Sequence, residues 1–288
     1  MNDGYTSGRA IVVEFGLERI PTLTTEIILR TLLTLAGLAA LSLASLDATA
    51  ADGPHAFRGK AALYSEYEFR GIAQSSEDPA LQLTLDYTHA SGFHAGTFLS
   101  NVKWLEDTGE VLGIPTDAKL EWQIRAGYRR AVAPGWTVDL GAVRYEYPSS
   151  RSFGTALGRP DTTEVYAGVS WGAATLKYSH ATTELFGVPD SKGSSYLELA
   201  VNQPLMDGLT LNASVGRQRY KGVQPNAGNF DNGNFDYTAW KLGGTYDFGA
   251  GFTAGAYYKG TDAEPAYFTF KGRDWSRDRV VAFAAYSF

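Results

Sequence analysis

The chain contains no cysteine and only two methionines in 288 residues, which excludes a disulfide framework and leaves no thiol for redox chemistry. Basic runs are missing too. With 25 Lys and Arg against 31 Asp and Glu, a formal net charge of −6 supplies none of the concentrated positive potential on which nucleic-acid binding depends. The four histidines are dispersed: His89 and His94 flank one tight turn but fall on opposite strand phases, which does not bring them to a shared metal ion. No Gly-x-Ser-x-Gly nucleophile elbow occurs. In Ser179-His180, neighbouring strand residues point to opposite faces and cannot form a dyad. No catalytic residue, metal ligand or cofactor is therefore expected, and the chain does not read as an enzyme.

Long apolar runs are equally scarce. The one extended uncharged stretch, Thr31 to Leu46, falls short of the roughly 20 residues of a membrane-spanning helix. It follows Arg30 and precedes Ala48-Thr49-Ala50, the small-x-small pattern of a secretory signal peptide. The expected cleavage follows Ala50, so residues 1–50 form a signal segment and residues 51–288 the exported protein. Residues 1–26 carry Asp3, Glu14, Glu18 and Glu26 against Arg9 and Arg19, unlike a short basic signal start, and translation is expected to begin after Met1, at a non-AUG codon such as that of Val12, Val13 or Leu17. Removing residues 1–50 takes away three basic and five acidic residues, leaving 22 and 26 and a mildly acidic chain.

What the exported part has in abundance is alternation of period two. Twelve segments show it, near residues 59–71, 80–89, 93–104, 118–130, 136–147, 162–171, 173–181, 194–203, 209–218, 236–247, 252–261 and 279–288. In the clearest, Ala118, Leu120, Trp122, Ile124, Ala126 and Tyr128 share one face while Lys119, Glu121, Gln123, Arg125, Gly127 and Arg129 share the other. The segments are joined alternately by short turns and longer loops, the rhythm of an outer-membrane barrel with periplasmic turns and outside loops. Tyr87, Phe93, Tyr128, Trp136, Trp171, Tyr246, Phe252, Tyr286 and Phe288 gather beside the short turns, as an interfacial aromatic girdle requires. A secreted sandwich would alternate as well but gives no reason for that clustering. The expected fold is all-β, a transmembrane antiparallel up-and-down barrel of about 12 strands. The third and fifth segments break phase at Val102 and Trp104 and at Val143, Tyr145 and Tyr147. That is the mark of a bulge or of side chains turned toward the pore mouth.

The polar phase holds Glu66, Glu68, Arg70, Asp86, Lys119, Glu121, Arg125, Arg129, Asp139, Glu164, Lys177, Glu198 and Lys241. A charge facing lipid at mid-membrane costs roughly 2–4 kcal/mol for Arg or Lys, so these residues are expected to line the interior, as facing rings of opposite charge or as a salt-bridge lattice. Gly127, Gly141, Gly168, Gly216, Gly243 and Gly255 on that phase are expected to leave room along the wall. Twelve strands about 4.8 Å apart and tilted near 40° close at a backbone radius of about 12–13 Å, suited to ions and small hydrophilic solutes.

Tyr67-Glu68-Phe69-Arg70-Gly71-Ile72-Ala73-Gln74, followed by Glu77-Asp78-Pro79-Ala80-Leu81-Gln82, resembles the TorF family of porins. So do, in order, Ser91 to Thr97 with Ser100-Asn101-Val102, Thr163 to Ser170, Leu176-Lys177-Tyr178 and Tyr196-Leu197-Glu198. The resemblance spans residues 60 to 288 and implies an outer-membrane barrel of porin activity, without a defined substrate. Partners would be outer-membrane lipid, lipopolysaccharide, small hydrophilic solutes or ions, and the barrel-assembly machinery, which is expected to read Tyr286 and Phe288. The other reading is an adhesin- or receptor-like surface-binding barrel. Its lumen would be plugged, and its loops would grip a partner through Tyr145, Tyr147, Phe153, Phe186, Phe230 and Phe235.

Overall fold

The computed structural model describes residues 53–150 and 157–288. The expected signal segment, with Ala48 and Ala50, and the loop residue Phe153 lie outside them. Twelve antiparallel strands close into one barrel: β1 (His55–Tyr64), β2 (Ala80–His89), β3 (Phe93–Asn101), β4 (Leu120–Ala133), β5 (Trp136–Glu146), β6 (Thr162–Trp171), β7 (Ala174–Ala181), β8 (Ser195–Met206), β9 (Leu209–Arg219), β10 (Tyr237–Gly249), β11 (Phe252–Thr261) and β12 (Arg279–Ser287). Each strand pairs with its sequence neighbour, and β12 returns to β1 with Lys60 opposite Ser287 and Tyr64 opposite Phe283. No helix among the described residues is long and apolar enough to cross a membrane.

The barrel is inside-out relative to a water-soluble domain. Leu81, Leu140, Trp171, Leu176, Leu199, Leu242 and Val280 are 65, 53, 60, 48, 44, 57 and 69% exposed, while their polar neighbours on the same strands face inward. That is the pattern of a sheet whose outer face meets lipid. At the short-turn end the outward aromatics form a girdle. Trp136 stacks on Trp171 across β5 and β6 at 5.9 Å, Tyr246 meets Phe248 at 4.8 Å and Phe252 meets Tyr286 at 4.7 Å.

The carboxyl terminus completes the seam. Gly59 N–H donates to the Phe288 carbonyl at 2.8 Å and Phe288 N–H to the Gly59 carbonyl at 2.9 Å. The Phe288 ring occupies the space a side chain on Gly59 would need, so glycine there is a seat for the terminal aromatic.

Two expectations about the strands need correction. β1 ends at Tyr64, so Glu66, Glu68 and Arg70 are not on a barrel wall. The chain leaves the wall at Ser65, whose N–H donates to Ala282 O at 2.8 Å. Alternation continues past it because the following segment is itself a two-stranded turn with one apolar and one polar side. β3 likewise ends at Asn101, and Trp104 opens the helix α1 (Trp104–Val111). Neither β3 nor β5 is bulged. The register shifts lie instead at the short-turn ends of β4, β8 and β10. On β5, Val143 and Tyr145 hold the inward phase without a slip and are 8 and 5% exposed. They are apolar because something other than water fills the outer end of the lumen.

Candidate functional site

That filling is the loop of residues 65–79 between β1 and β2, which turns into the barrel instead of away from it. Its tip is a two-residue hairpin. Glu68 pairs with Ala73 and Phe69 with Ile72, leaving Arg70 (φ 51°) and Gly71 (φ 84°) as the central residues. Two successive positive φ values are the type I′ geometry. Gly71 also needs its missing side chain, since a Cβ there would collide with Ala239 and Thr261 on β10 and β11.

The hairpin carries Arg70 across the lumen. In a closed ring of twelve, β7 lies opposite β1, and the partners of Arg70 sit on that far side. Its guanidinium donates to both Glu164 carboxylate oxygens, from β6, at 2.9 and 2.7 Å, and to Gln218 Oε1, from β9, at 3.1 Å. It also lies 4.5 Å from the Tyr196 ring centre and 4.8 Å from that of Phe69. The side chains of Arg70 and Glu164 are 8 and 1% exposed. Burial alone would lower the Arg70 pKa, but Glu164 more than reverses this and holds it above its ordinary value.

Around this contact the closure is layered. Glu121 on β4 accepts from Tyr67 Oη at 2.8 Å, Tyr147 Oη at 2.9 Å and Gln123 Nε2 at 2.6 Å. Burial first, then the Glu121 charge, pushes both tyrosine hydroxyls well above their ordinary pKa. Lys259 on β11, fully buried, donates to Gly71 O at 3.0 Å and Trp275 O at 3.2 Å. Arg279 pairs with Glu66 at 3.2 Å and with Glu77. Burial raises the Glu66 carboxyl against the pull of Arg279 and Lys259, whereas the Arg279 hydrogen bond lowers that of Glu77. Apolar groups fill the remainder. Tyr67 joins Val143, Tyr145 and Tyr147, and Ile72 and Ala73 join Tyr237 and Trp275.

Toward the short-turn end the lumen is wetter and its charges are paired along the wall. Arg125 reaches Asp86 at 2.6 Å over Gly96, which separates them in the register. Asp139 takes Arg129 at 2.6 Å and His94 at 2.8 Å. Lys177 sits 4.2 Å above the Tyr166 ring and opposite Glu198 in the β7–β8 pairing. Lys241 reaches back to Glu68 at 3.6 Å. Lys119 lies just before β4 at the outer rim, 62% exposed, and pairs with Glu106 of α1 at 3.4 Å. The arrangement is a lattice of neighbouring pairs rather than opposed rings of charge.

The inward glycines correct a further expectation, because several are covered by rings from the next strand. Tyr166 lies over Gly141, Tyr196 over Gly216 and Phe283 over Gly255, while Gly243 is crowded by the Cα and Cβ of Tyr257. A ring on the pleated wall covers the backbone that glycine leaves bare, so the lumen there is narrowed. Cavities lie against the hairpin. One, of about 230 Å³, is bordered by Arg70, Glu68, Lys177, Tyr196, Glu198 and Lys241. Another, of about 260 Å³, is bordered by Tyr64, Tyr67, Gln82, Gln123 and Tyr257.

Lys259, Arg279, Gln218 and Tyr196 escaped the sequence reading of the interior. All four lie on inward phases, so the period-two rule could have found them. Their cross-lumen partners, set by the fold of a loop, could not. Of the six loop aromatics proposed as a grip for a partner, Tyr145, Tyr147 and Phe186 pack into the closure with Phe69. Phe230 and Phe235 meet each other at a tilt and both meet Tyr267 edge to face. Ser179 is 4% exposed, and His180, on the other face, lies beside Tyr178. Among the described residues no three His, Asp or Glu side chains are grouped to hold a metal.

Fold and surface together define a twelve-stranded barrel of the outer-membrane type. Residues 48–288 match the family described as "Bacterial protein of unknown function (Gcw_chp)", and the chain belongs to it; the match does not carry the TorF name. No match was found among curated protein sequences. Among solved structures, the chain is similar to the NanC porin with a TM-score of 0.50 at 13% identity, over 80% of this chain and 98% of that one. The KdgM porin aligns with a TM-score of 0.49 at 8% identity, over 80% and 99%. At 13% identity the likeness to NanC is one of fold.

Proposed function

We propose that the protein is an outer-membrane porin of TorF type, passing ions and small hydrophilic solutes through a lumen whose outer end is constricted by the hairpin at Arg70. The observation that carries this reading is the lining beneath the hairpin. Cavities bordered by Lys177, Glu198, Lys241, Gln82 and Gln123 are polar spaces without use in a barrel that serves only as an anchor. Planar-bilayer recording of the purified barrel tests it; a barrel that inserts yet passes no current at any voltage would overturn it. One observation favours a second reading, a plugged surface-binding barrel. The hairpin is fixed by apolar packing on two sides as well as by charge.

Under the channel reading, selectivity is weak and tunable. Arg125 and Arg129 neutralise Asp86 and Asp139, so Arg125→Gln with Arg129→Gln removes two positive charges from the wall, leaving Asp86 without its arginine and Asp139 with His94 as its partner. Acidic linings favour cations. The reversal potential in a salt gradient is expected to move toward cation preference, more so at 0.01 M salt, where screening extends about 30 Å. An unchanged reversal potential would remove these residues from the conducting path.

We also infer that export to the periplasm precedes insertion and that the terminal aromatics serve assembly. Tyr286 and Phe288 stack at 6.1 Å on the outer surface beside the seam. Deleting Phe288 is expected to reduce heat-modifiable barrel in cell membranes while leaving refolding into detergent nearly unchanged. Equal loss in both settings would assign Phe288 to stability alone.

A further inference from the structure

On the outer surface of β7, β8 and β9, the register arranges side chains in level rows. Leu176, Leu199 and Val215 form one row; Tyr178, Leu197 and Arg217 form the next toward the long-loop end; His180, Ser195 and Arg219 form the third. Successive rows are two residues apart, about 7 Å along a strand and about 5 Å in height at a tilt near 40°. Over that short rise the surface changes from bare hydrocarbon, with Leu176, Leu199 and Val215 48, 44 and 47% exposed, to cationic. The adjoining loops extend the change. Lys221 N–H donates to Ser194 Oγ at 3.0 Å, and a side chain on Gly193 would touch Lys221 Cγ at 3.8 Å and His180 Cε1 at 3.9 Å. Lys221 and His180 therefore flank the turn that bears Lys192.

The charges here differ from most others at the long-loop end. Lys103, Lys119, Arg144, Arg159 and Lys271 each have a carboxylate within 3.4 Å. Lys192, Arg219 and Lys221 are exposed and, among the described residues, make no ion pair of 4.0 Å or less. The nearby acids are engaged elsewhere. Asp190 accepts from Val223 N–H at 3.1 Å, and Asp236 and Asp262 lie 4.0 and 3.7 Å from Arg217. Three unmatched cations immediately above a lipid-facing row are complementary to a molecule with acyl chains and phosphate on one headgroup.

We propose that this rim of β7, β8 and β9 docks a phosphorylated lipid of the outer leaflet. Lys192, Arg219 and Lys221 hold the phosphate, and the acyl chains lie along Leu176, Leu197 and Leu199. The proposal rests on the barrel lying in an outer membrane and is independent of conduction. A cation near a membrane surface attracts anionic headgroups, and the contributions of several add. The flat hydrocarbon rows below fix the depth at which the phosphate meets them.

The test titrates the purified, heat-modifiable barrel in detergent with lipid A carrying two phosphates and with its dephosphorylated form, counting retained lipid by native mass spectrometry. Heat-modifiability reports the barrel itself, so loss of the membrane reading is distinguished from loss of the lipid site. Wild-type protein is expected to retain the phosphorylated lipid and to release the dephosphorylated one. The Lys192→Gln, Arg219→Gln, Lys221→Gln variant is expected to lose about a hundredfold in affinity. Arg277→Gln, which removes a loop cation elsewhere, and the Lys192→Arg, Arg219→Lys, Lys221→Arg variant should retain it. Equal retention of both lipids, or undiminished binding by the triple Gln variant, would overturn the proposal. So would full competition by inorganic pyrophosphate, which would mark a site for soluble anions. If the triple variant does not fold, the two lipid forms on wild-type protein decide the matter.

Discussion

Arg70→Asn is expected to raise the open probability of the reconstituted barrel by up to about 100-fold. Asparagine tolerates the positive φ of the first central position in a type I′ turn, so the hairpin keeps its shape and only the guanidinium is lost. Glu164, 1% exposed, is then left as a buried carboxylate with Tyr145 Oη at 3.3 Å as its remaining donor. Removing one partner of a buried pair costs roughly 3–5 kcal/mol, and about 3 kcal/mol is close to two decades in a two-state equilibrium. Each fully buried apolar side chain is worth about 1.5–3 kcal/mol, so Tyr67 and Ile72 still hold the hairpin and opening should be intermittent. Glu164→Gln removes the same charge pair from the other side and should flicker in the same way, with a smaller effect because Gln can still accept from Arg70. Single-channel records separate the outcomes. A long-closed Arg70→Asn barrel would mean that apolar packing alone keeps the lumen shut and would favour the plugged reading.

The backbone at this tip points the same way. Arg70 sits at φ 51°, a region that costs an L-residue other than Gly, Asn or Asp about 1–2 kcal/mol. Strain of this kind persists where surrounding contacts over-determine it. The ion pair, the Gln218 hydrogen bond and the Tyr196 and Phe69 rings are those contacts.

The twelve strands were legible because lipid outside and water inside impose period two on every stave, and because glycine-bearing turns punctuate them. The girdle was legible for the same local reason. At β1 the rule overran by seven residues, since the segment Glu66 to Arg70 alternates just as a wall strand does. Its aromatics face the closure and its charges face β6, β10 and β12. Period two reports two unlike sides, not what lies on them. The phase break at Val143 and Tyr145 was the visible trace of the closure, because apolar residues on an inward phase require a dry neighbour. That the neighbour is the hairpin, and that Arg70 meets Glu164 94 residues away, depends on a long-range fold that no local pattern encodes.

Replacing residues 66–77 by a short Gly-Ser turn should give the largest change, a steadily conducting barrel with little gating. The twelve strand pairings run independently of this segment, so the heat-modifiable form should persist. Tyr145, Tyr147 and Tyr237, 5, 1 and 3% exposed, would meet water, and some loss of thermal stability should follow. The sign of selectivity then distinguishes this variant from Arg70→Asn. The excised segment carries Glu66, Glu68 and Glu77 against one base, Arg70, and its acids are the partners of Arg279 and Lys241. Excision therefore leaves the lumen more positive and should move the reversal potential toward anions. Arg70→Asn deletes a positive charge and should move it toward cations, since the sign of the lining charge sets the favoured ion. Shifts in the same direction for both variants would show that current does not pass the hairpin, whatever its size. An excised barrel that stays closed would place the barrier lower, among the Tyr166, Tyr196 and Phe283 rings that cover the wall glycines.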